Sequence, residues 1–140
     1  MKFARVLVPI DFSQASLEAV KLSQERFSGS DNSLTLLHVI ESGLALVEPQ
    51  TELRQTDIEN CRHRLASLGK TQSGAWKEVS TQVEAGKPVD CILDAASREG
   101  TDLVIMGSHG TGGLRKALFG STTYDVARKL KCSVMVTKTA

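Results

Sequence analysis

Aromatic side chains are scarce: four phenylalanines, one tryptophan and one tyrosine make up 4% of the chain. That scarcity weakens any reading that needs stacking platforms for bases or flavins. Excess charge is also lacking, because 17 lysines and arginines face 16 acids for a net charge of +1. A dedicated nucleic-acid or membrane-surface protein would need a stronger field. Only three cysteines occur, Cys61, Cys91 and Cys132, widely separated and odd in number. They form no CxxC pair for zinc and no disulfide framework, and they are expected as buried, reduced thiols. No apolar run reaches the roughly 18 residues needed to cross a bilayer. The start, Met1-Lys2-Phe3-Ala4-Arg5, has no signal-peptide core. A cytoplasmic location is the expectation, with no nucleic-acid or membrane partner.

What remains has the make-up of one soluble domain: 140 residues, 41% apolar and 24% charged. Strand-like and helix-like segments alternate. Residues 5–10 (RVLVPI) form a short apolar run ended by Asp11-Phe12-Ser13, and 14–27 carry apolar residues at helical spacing. Gly29-Ser30-Asp31-Asn32 reads as a turn, and 33–40 (SLTLLHVI) as a second strand. A loop over 41–50 precedes a helix over 51–68, with Leu53, Ile58, Cys61, Leu65 and Leu68 on its apolar face. Its other face mixes both charge signs, which is the pattern of a solvated surface, and Gly69 stands where a C-cap is expected. A third strand over 76–83 is followed by Gly86-Lys87-Pro88, which opens a helix with proline in its first turn. A fourth strand over 102–106, a glycine-rich stretch, a helix over 121–130 and a fifth strand over 133–137 complete the chain. Strands separated by helices imply parallel pairing through right-handed crossovers, and nearly continuous apolar strands imply a sheet covered on both faces. The fold class is therefore α/β: one doubly wound five-stranded parallel sheet spanning residues 1–140.

The chemistry concentrates after the fourth strand, in Gly107-Ser108-His109-Gly110-Thr111-Gly112-Gly113-Leu114-Arg115-Lys116-Ala117-Leu118-Phe119-Gly120-Ser121-Thr122. Open α/β folds bind ligands at this edge of the sheet. Gly107 and Gly110 would let the backbone turn tightly and approach an anion. Gly120-Ser121-Thr122 opens a helix whose free amides and dipole favour phosphate. The two hydroxyls add donors, and Arg115 and Lys116 make the connection positive. The competing reading is that the glycines make turns and Ser121 caps the helix. A strand before, a helix start after and a hydroxyl pair beside the last glycine together favour the anion site.

Gly107-x-x-Gly110, nine residues, then Gly120-Ser121 resembles the G-2x-G-9x-G-[ST] nucleotide-binding signature of the universal stress protein A family. Val6-Leu7-Val8-Pro9-Ile10-Asp11-Phe12-Ser13 is similar to that family's opening strand, and residues 102–110 to its fourth-strand segment. The likeness covers nearly the whole chain; Ser133 departs from it, since members often carry proline there. The resemblance implies the strand order 3-2-1-4-5 of a Rossmann-like fold and an ATP site, with magnesium as an optional companion. Position by position, Pro9, Ile10 and Asp11 would end the first strand, with Asp11 near the ribose or purine. Val39 would offer backbone bonds to adenine. Met106, Gly107, His109 and Gly110 would face the ribose and phosphates, and Gly120, Ser121 and Thr122 would grip the phosphates. A homodimer through Val134, Met135 and Val136 and a regulatory protein partner are further implications. Taken residue by residue, Asp11 could instead cap a helix or begin a turn, His109 could be a surface imidazole, His38 reads as structural, and Met106 reads as core.

Phosphoryl transfer needs an in-line nucleophile, metal ligands and charge clamps. Here the phosphate-binding parts come without a Walker lysine or a paired-carboxylate metal site, so no catalytic or metal-ligating residue is assigned. The expectation is a nucleotide-dependent regulator that acts by binding. Its alternatives are a slow ATPase modifying itself at Ser121 or a nearby hydroxyl, and a structural dimer with an empty site. A dinucleotide oxidoreductase would need Gly-x-Gly-x-x-Gly after the first strand, whereas residues 11–28 contain no glycine. A phosphate-receiver domain would need paired acids where Asp11 stands alone.

Overall fold

The computed structural model describes residues 2–41, 52–108 and 120–138. Five strands, β1 (Arg5–Pro9), β2 (Gly29–Glu41), β3 (Trp76–Gly86), β4 (Leu103–Gly107) and β5 (Ser133–Thr137), alternate with four helices. These are α1 (Gln14–Phe27), α2 (Glu52–Thr71), α3 (Pro88–Arg98) and α4 (Ser121–Lys129). The strands form one all-parallel sheet in the order β3-β2-β1-β4-β5. The doubly wound architecture and the implied strand order are both present.

Alternation along the strands sorts the core into two layers. Val6, Val8, Ile10, Leu34, Leu36, Leu103 and Ile105 pack with Ala19 and Val20 of α1 and Leu65 of α2. On the opposite face Leu7, Leu37, Val104 and Met106 pack with Ile92, Ala95 and Ala96 of α3 and Val126 of α4. Both faces of β1 and β4 are therefore buried, which is why those strands read as unbroken apolar runs. The sheet is tied at its lower edge by Asp102, whose carboxylate accepts hydrogen bonds from the amides of Ala4 at 3.0 Å and Arg5 at 3.1 Å.

Several boundaries differ from the sequence reading. The segment 29–32, read as a turn, belongs to β2: Gly29 pairs with Trp76 and Ser33 with Glu78, with a register shift between them. Turn-forming residues here make an irregularity in the ladder, and Asn32 Nδ2 donates to the Phe27 carbonyl at 2.7 Å. β3 continues to Gly86, past Val83. Gly69 does not end α2, which runs on to Thr71. A Cβ at Gly69 would stand 2.8 Å from Thr81 Cγ2, so glycine is there to let α2 approach β3. The three cysteines are free but only half-buried. Burial, followed by the Glu84, Asp94 and Asp90 carboxylates, still pushes the Cys91 thiol above its ordinary value; burial does the same for Cys132.

Candidate functional site

The sheet order reverses direction between β1 and β4, and their C-terminal ends form a crevice where connections leave to opposite faces. β1 ends at Pro9, and the Ile10 amide continues the ladder by donating to the Leu37 carbonyl at 2.7 Å. Ile10 is itself buried in the core. Strand alternation then turns the N–H and C=O of Val39 to that same side, one step beyond the end of β1. The Ile10 carbonyl is held by His38 Nδ1 at 2.6 Å. A carbonyl only accepts, so Nδ1 carries the proton, and His38 is structural as read.

Asp11 begins a turn, with Oδ1 accepting from the Ser13 amide at 3.0 Å. Ser13 is the N-cap of α1, its hydroxyl accepting from the Ser16 amide. Between them Phe12 has φ of 62°, a left-handed conformation unusual for a bulky residue. The α1 terminus is thus capped by the chain's own side chains.

The α4 terminus is built differently. Its N-cap is Gly120, in extended conformation and with no side-chain cap. The first intrahelical bond runs from the Tyr124 amide to the Gly120 carbonyl, leaving the amides of Ser121, Thr122 and Thr123 without intrahelical acceptors. Ser121, the first helical residue, does not cap the helix as the competing reading had it. Ser121 is exposed and Thr122 half-buried, so hydroxyls and amides share one open end.

Two bonds clamp this end to β4. The Gly120 amide donates to the Ser108 carbonyl at 2.6 Å, and Thr123 Oγ1 donates to the Gly107 carbonyl at 2.9 Å. The Ser108 amide in turn donates to the Thr137 carbonyl at 2.8 Å, tying in β5. The first and last glycines of the signature therefore stand together although twelve residues separate them in sequence. Ser108 and Thr123, both buried, were not singled out from sequence; a hydroxyl at the third helical position after a bare glycine cap is the signal that could have found Thr123.

Gly107 has a packing role that the sequence reading did not include. Its φ is not in the left-handed region, and a Cβ would lie 2.7 Å from Ala15 Cβ and 2.8 Å from the Ala15 carbonyl carbon. The space it leaves admits the first turn of α1. Met106 is buried, and its side chain belongs to the α3–α4 layer as core. His109 and Gly110, with Arg115 and Lys116, lie outside the described residues. Among the described residues no group of three or more His, Cys, Asp or Glu could hold a metal ion.

The described parts thus define a parallel α/β protein whose switch-point crevice has one self-capped and one bare helix terminus. The chain belongs to the Universal stress protein family, matching it over residues 2–138. It is 28% identical to Universal stress protein MJ0577 of Methanocaldococcus jannaschii, over 97% of this chain and 95% of that one. The solved structure of MJ0577 superposes with a TM-score of 0.91 at 29% identity, covering 100% of this chain and 99% of the other. A universal stress protein in complex with cAMP shares the fold at TM-score 0.66 and 22% identity, covering 100% of both chains. So does a family member from Arabidopsis thaliana with AMP bound, at 0.68 and 19%, covering 98% of this chain and 92% of that one.

Proposed function

We propose that the chain binds an adenine nucleotide, ATP in the first instance, in the crevice between β1 and β4, and that it regulates by occupancy rather than by turnover. The observation that carries this reading is the uncapped start of α4, held by Ser108 and Thr123 against the end of β4. Three amides and the hydroxyls of Ser121 and Thr122 form a donor set suited to phosphate oxygens and to the positive end of a helix dipole. The donors fit a polyphosphate, and magnesium, when present, would come with the nucleotide and neutralise its charge. Val39's outward-turned backbone groups suit the edge of a purine, and Asp11 stands at the end of β1 where a ribose would lie. His109 and Gly110 are assigned to the same ligand by their place in the signature. The cAMP and AMP complexes of family members support the adenine preference.

The open edge of β5, with Val134, Met135 and Val136 all half-buried, supports a homodimer formed through that strand. No helix among the described residues is long and apolar enough to cross a membrane, which is compatible with a cytoplasmic place of action.

Gly120→Asp tests the binding site separately from the fold. A carboxylate at this N-cap would bond the bare amides and repel phosphate, while stabilising the helix by a few tenths of a kcal/mol. The expected result is an unchanged or slightly higher Tm together with loss of ATP binding by calorimetry. ATP binding at wild-type affinity in this variant would refute the site. A second reading, slow ATP hydrolysis or self-phosphorylation at Ser121, predicts product from wild-type protein that vanishes in His109→Ala or Ser121→Ala.

A further inference from the structure

On the α1–α2 face, away from α4, a groove of about 460 Å³ opens between the two helices. Its floor is apolar, made by Phe12, Leu17 and Leu68, and its wall on α2 carries His63, Arg64, Ser67 and Thr71. Leu17 is 41% exposed, and with Tyr124 it is one of two exposed large hydrophobic side chains among the described residues. The Arg64 guanidinium carbon lies 3.9 Å from the centre of the Phe12 ring. That stacking fixes the plane of the guanidinium and leaves its N–H edge for another partner. Among the described residues no carboxylate lines the groove, and none lies within 4.0 Å of Arg64 or His63.

We propose that this groove is a docking site for an acidic amphipathic helix of a partner protein, with an apolar face on Leu17, Phe12 and Leu68 and a carboxylate on Arg64. The charge is complementary: a preorganised arginine beside a histidine, with no acidic partner among the described residues, calls for an acid. The backbone chemistry selects a helix. Both walls are helices whose amides and carbonyls are paired internally, so they offer no edge for strand addition, and an occupant must satisfy its own backbone. The size agrees, since Arg64 to Thr71 spans seven steps of helix, about 10 Å, or two turns of a helix laid alongside. This surface is independent of the nucleotide reading, although Phe12 follows Asp11 directly in the chain.

The test uses the full chain without nucleotide and a synthetic helix of about four turns, leucine on one face and glutamate on the other. Fluorescence anisotropy and amide chemical shifts follow the titration. The peptide is expected to bind and to move resonances of Leu17, Phe12 and residues 63–71. Arg64→Glu exchanges an attraction for a repulsion and is expected to weaken binding about tenfold, with a lysine-for-glutamate peptide then favoured over the original. Leu17→Lys should also weaken it, whereas Tyr124→Ala, which removes the other exposed hydrophobic on the opposite face, should not. The proposal is overturned by no binding at millimolar peptide, by equal binding to wild type and Arg64→Glu, or by shifts centred on β5. It is overturned too if Leu17→Lys dissolves a dimer in sedimentation, because the occupant would then be a second copy. All three substitutions are at exposed positions, and unchanged thermal melting confirms that each variant is folded.

Discussion

Replacing Phe12 by alanine and, separately, by glycine should give the reverse of the usual order of stability. Both changes remove the same ring, with its contacts to Arg64 at 3.9 Å and His38 at 4.9 Å between ring centres. Their difference therefore isolates the backbone at φ of 62°. In a regular helix or strand, glycine is less stable than alanine by about 0.5–1 kcal/mol, because it has more freedom to lose on folding. In the left-handed region an L side chain carries a penalty of about 1–2 kcal/mol that glycine does not. Subtracting the entropic disadvantage from that penalty leaves Phe12→Gly more stable than Phe12→Ala by up to about 1.5 kcal/mol, or about 4 °C in Tm for a chain of this size. Equilibrium urea unfolding suits the measurement, since the single tryptophan, Trp76, is only 6% exposed and reports on the core. If the alanine variant proves the more stable, the left-handed geometry at Phe12 is wrong, and the account of the β1–α1 turn goes with it.

Gly107→Ala should destabilise the fold by about 1–3 kcal/mol, because its Cβ meets the backbone of Ala15 rather than a side chain that can swing aside; a loss below about 0.5 kcal/mol in urea unfolding would show that α1 does not pack as described. Cys91 should alkylate with a midpoint above the ordinary 9.0, moving down in Glu84→Gln as one neighbouring negative charge is removed. The raised value also gives a sign for stability: the folded thiol keeps its proton where the unfolded one ionises, so its contribution is intact below pH 9.0 and fades as pH rises through the folded value. A flat stability between pH 8.5 and 10 in wild type, compared with Cys91→Ser, would contradict this (both pH values being about one step around the thiol's usual range).

The elements that read well from sequence were those whose signals are local. Apolar residues at helical spacing marked α1, which runs from Gln14 to Phe27 as expected, although its N-cap is Ser13 and not Asp11. Ser133–Thr137 likewise matches a run of β-branched residues. The ends of β1 and β4 were legible as a switch-point crevice because two apolar strands stop at chemically distinctive residues. Glycine was the least legible residue, since its letter does not say whether it supplies a dihedral angle or a vacancy. At Gly69 and Gly107 it is the vacancy, and the reasons, Thr81 and Ala15, are remote in sequence. The positive φ at Phe12 has no sequence signal, because aromatic residues rarely adopt it. Its contact with Arg64 joins positions 52 apart, which no local periodicity reveals. At 29–32, turn-type residues were absorbed into a strand because β2 has β3 beside it to carry the ladder past the irregularity.

The paired bonds from Gly120 to Ser108 and from Thr123 to Gly107 close a neck between β4 and α4. Closure entropy grows only slowly with the length of what a neck encloses, and these bonds do not depend on side chains of the eleven residues between. A change in the length of that stretch therefore costs little closure entropy while the neck holds. The two ends of the segment are thus fixed by main-chain acceptors of β4, which any sequence at 107 and 108 supplies.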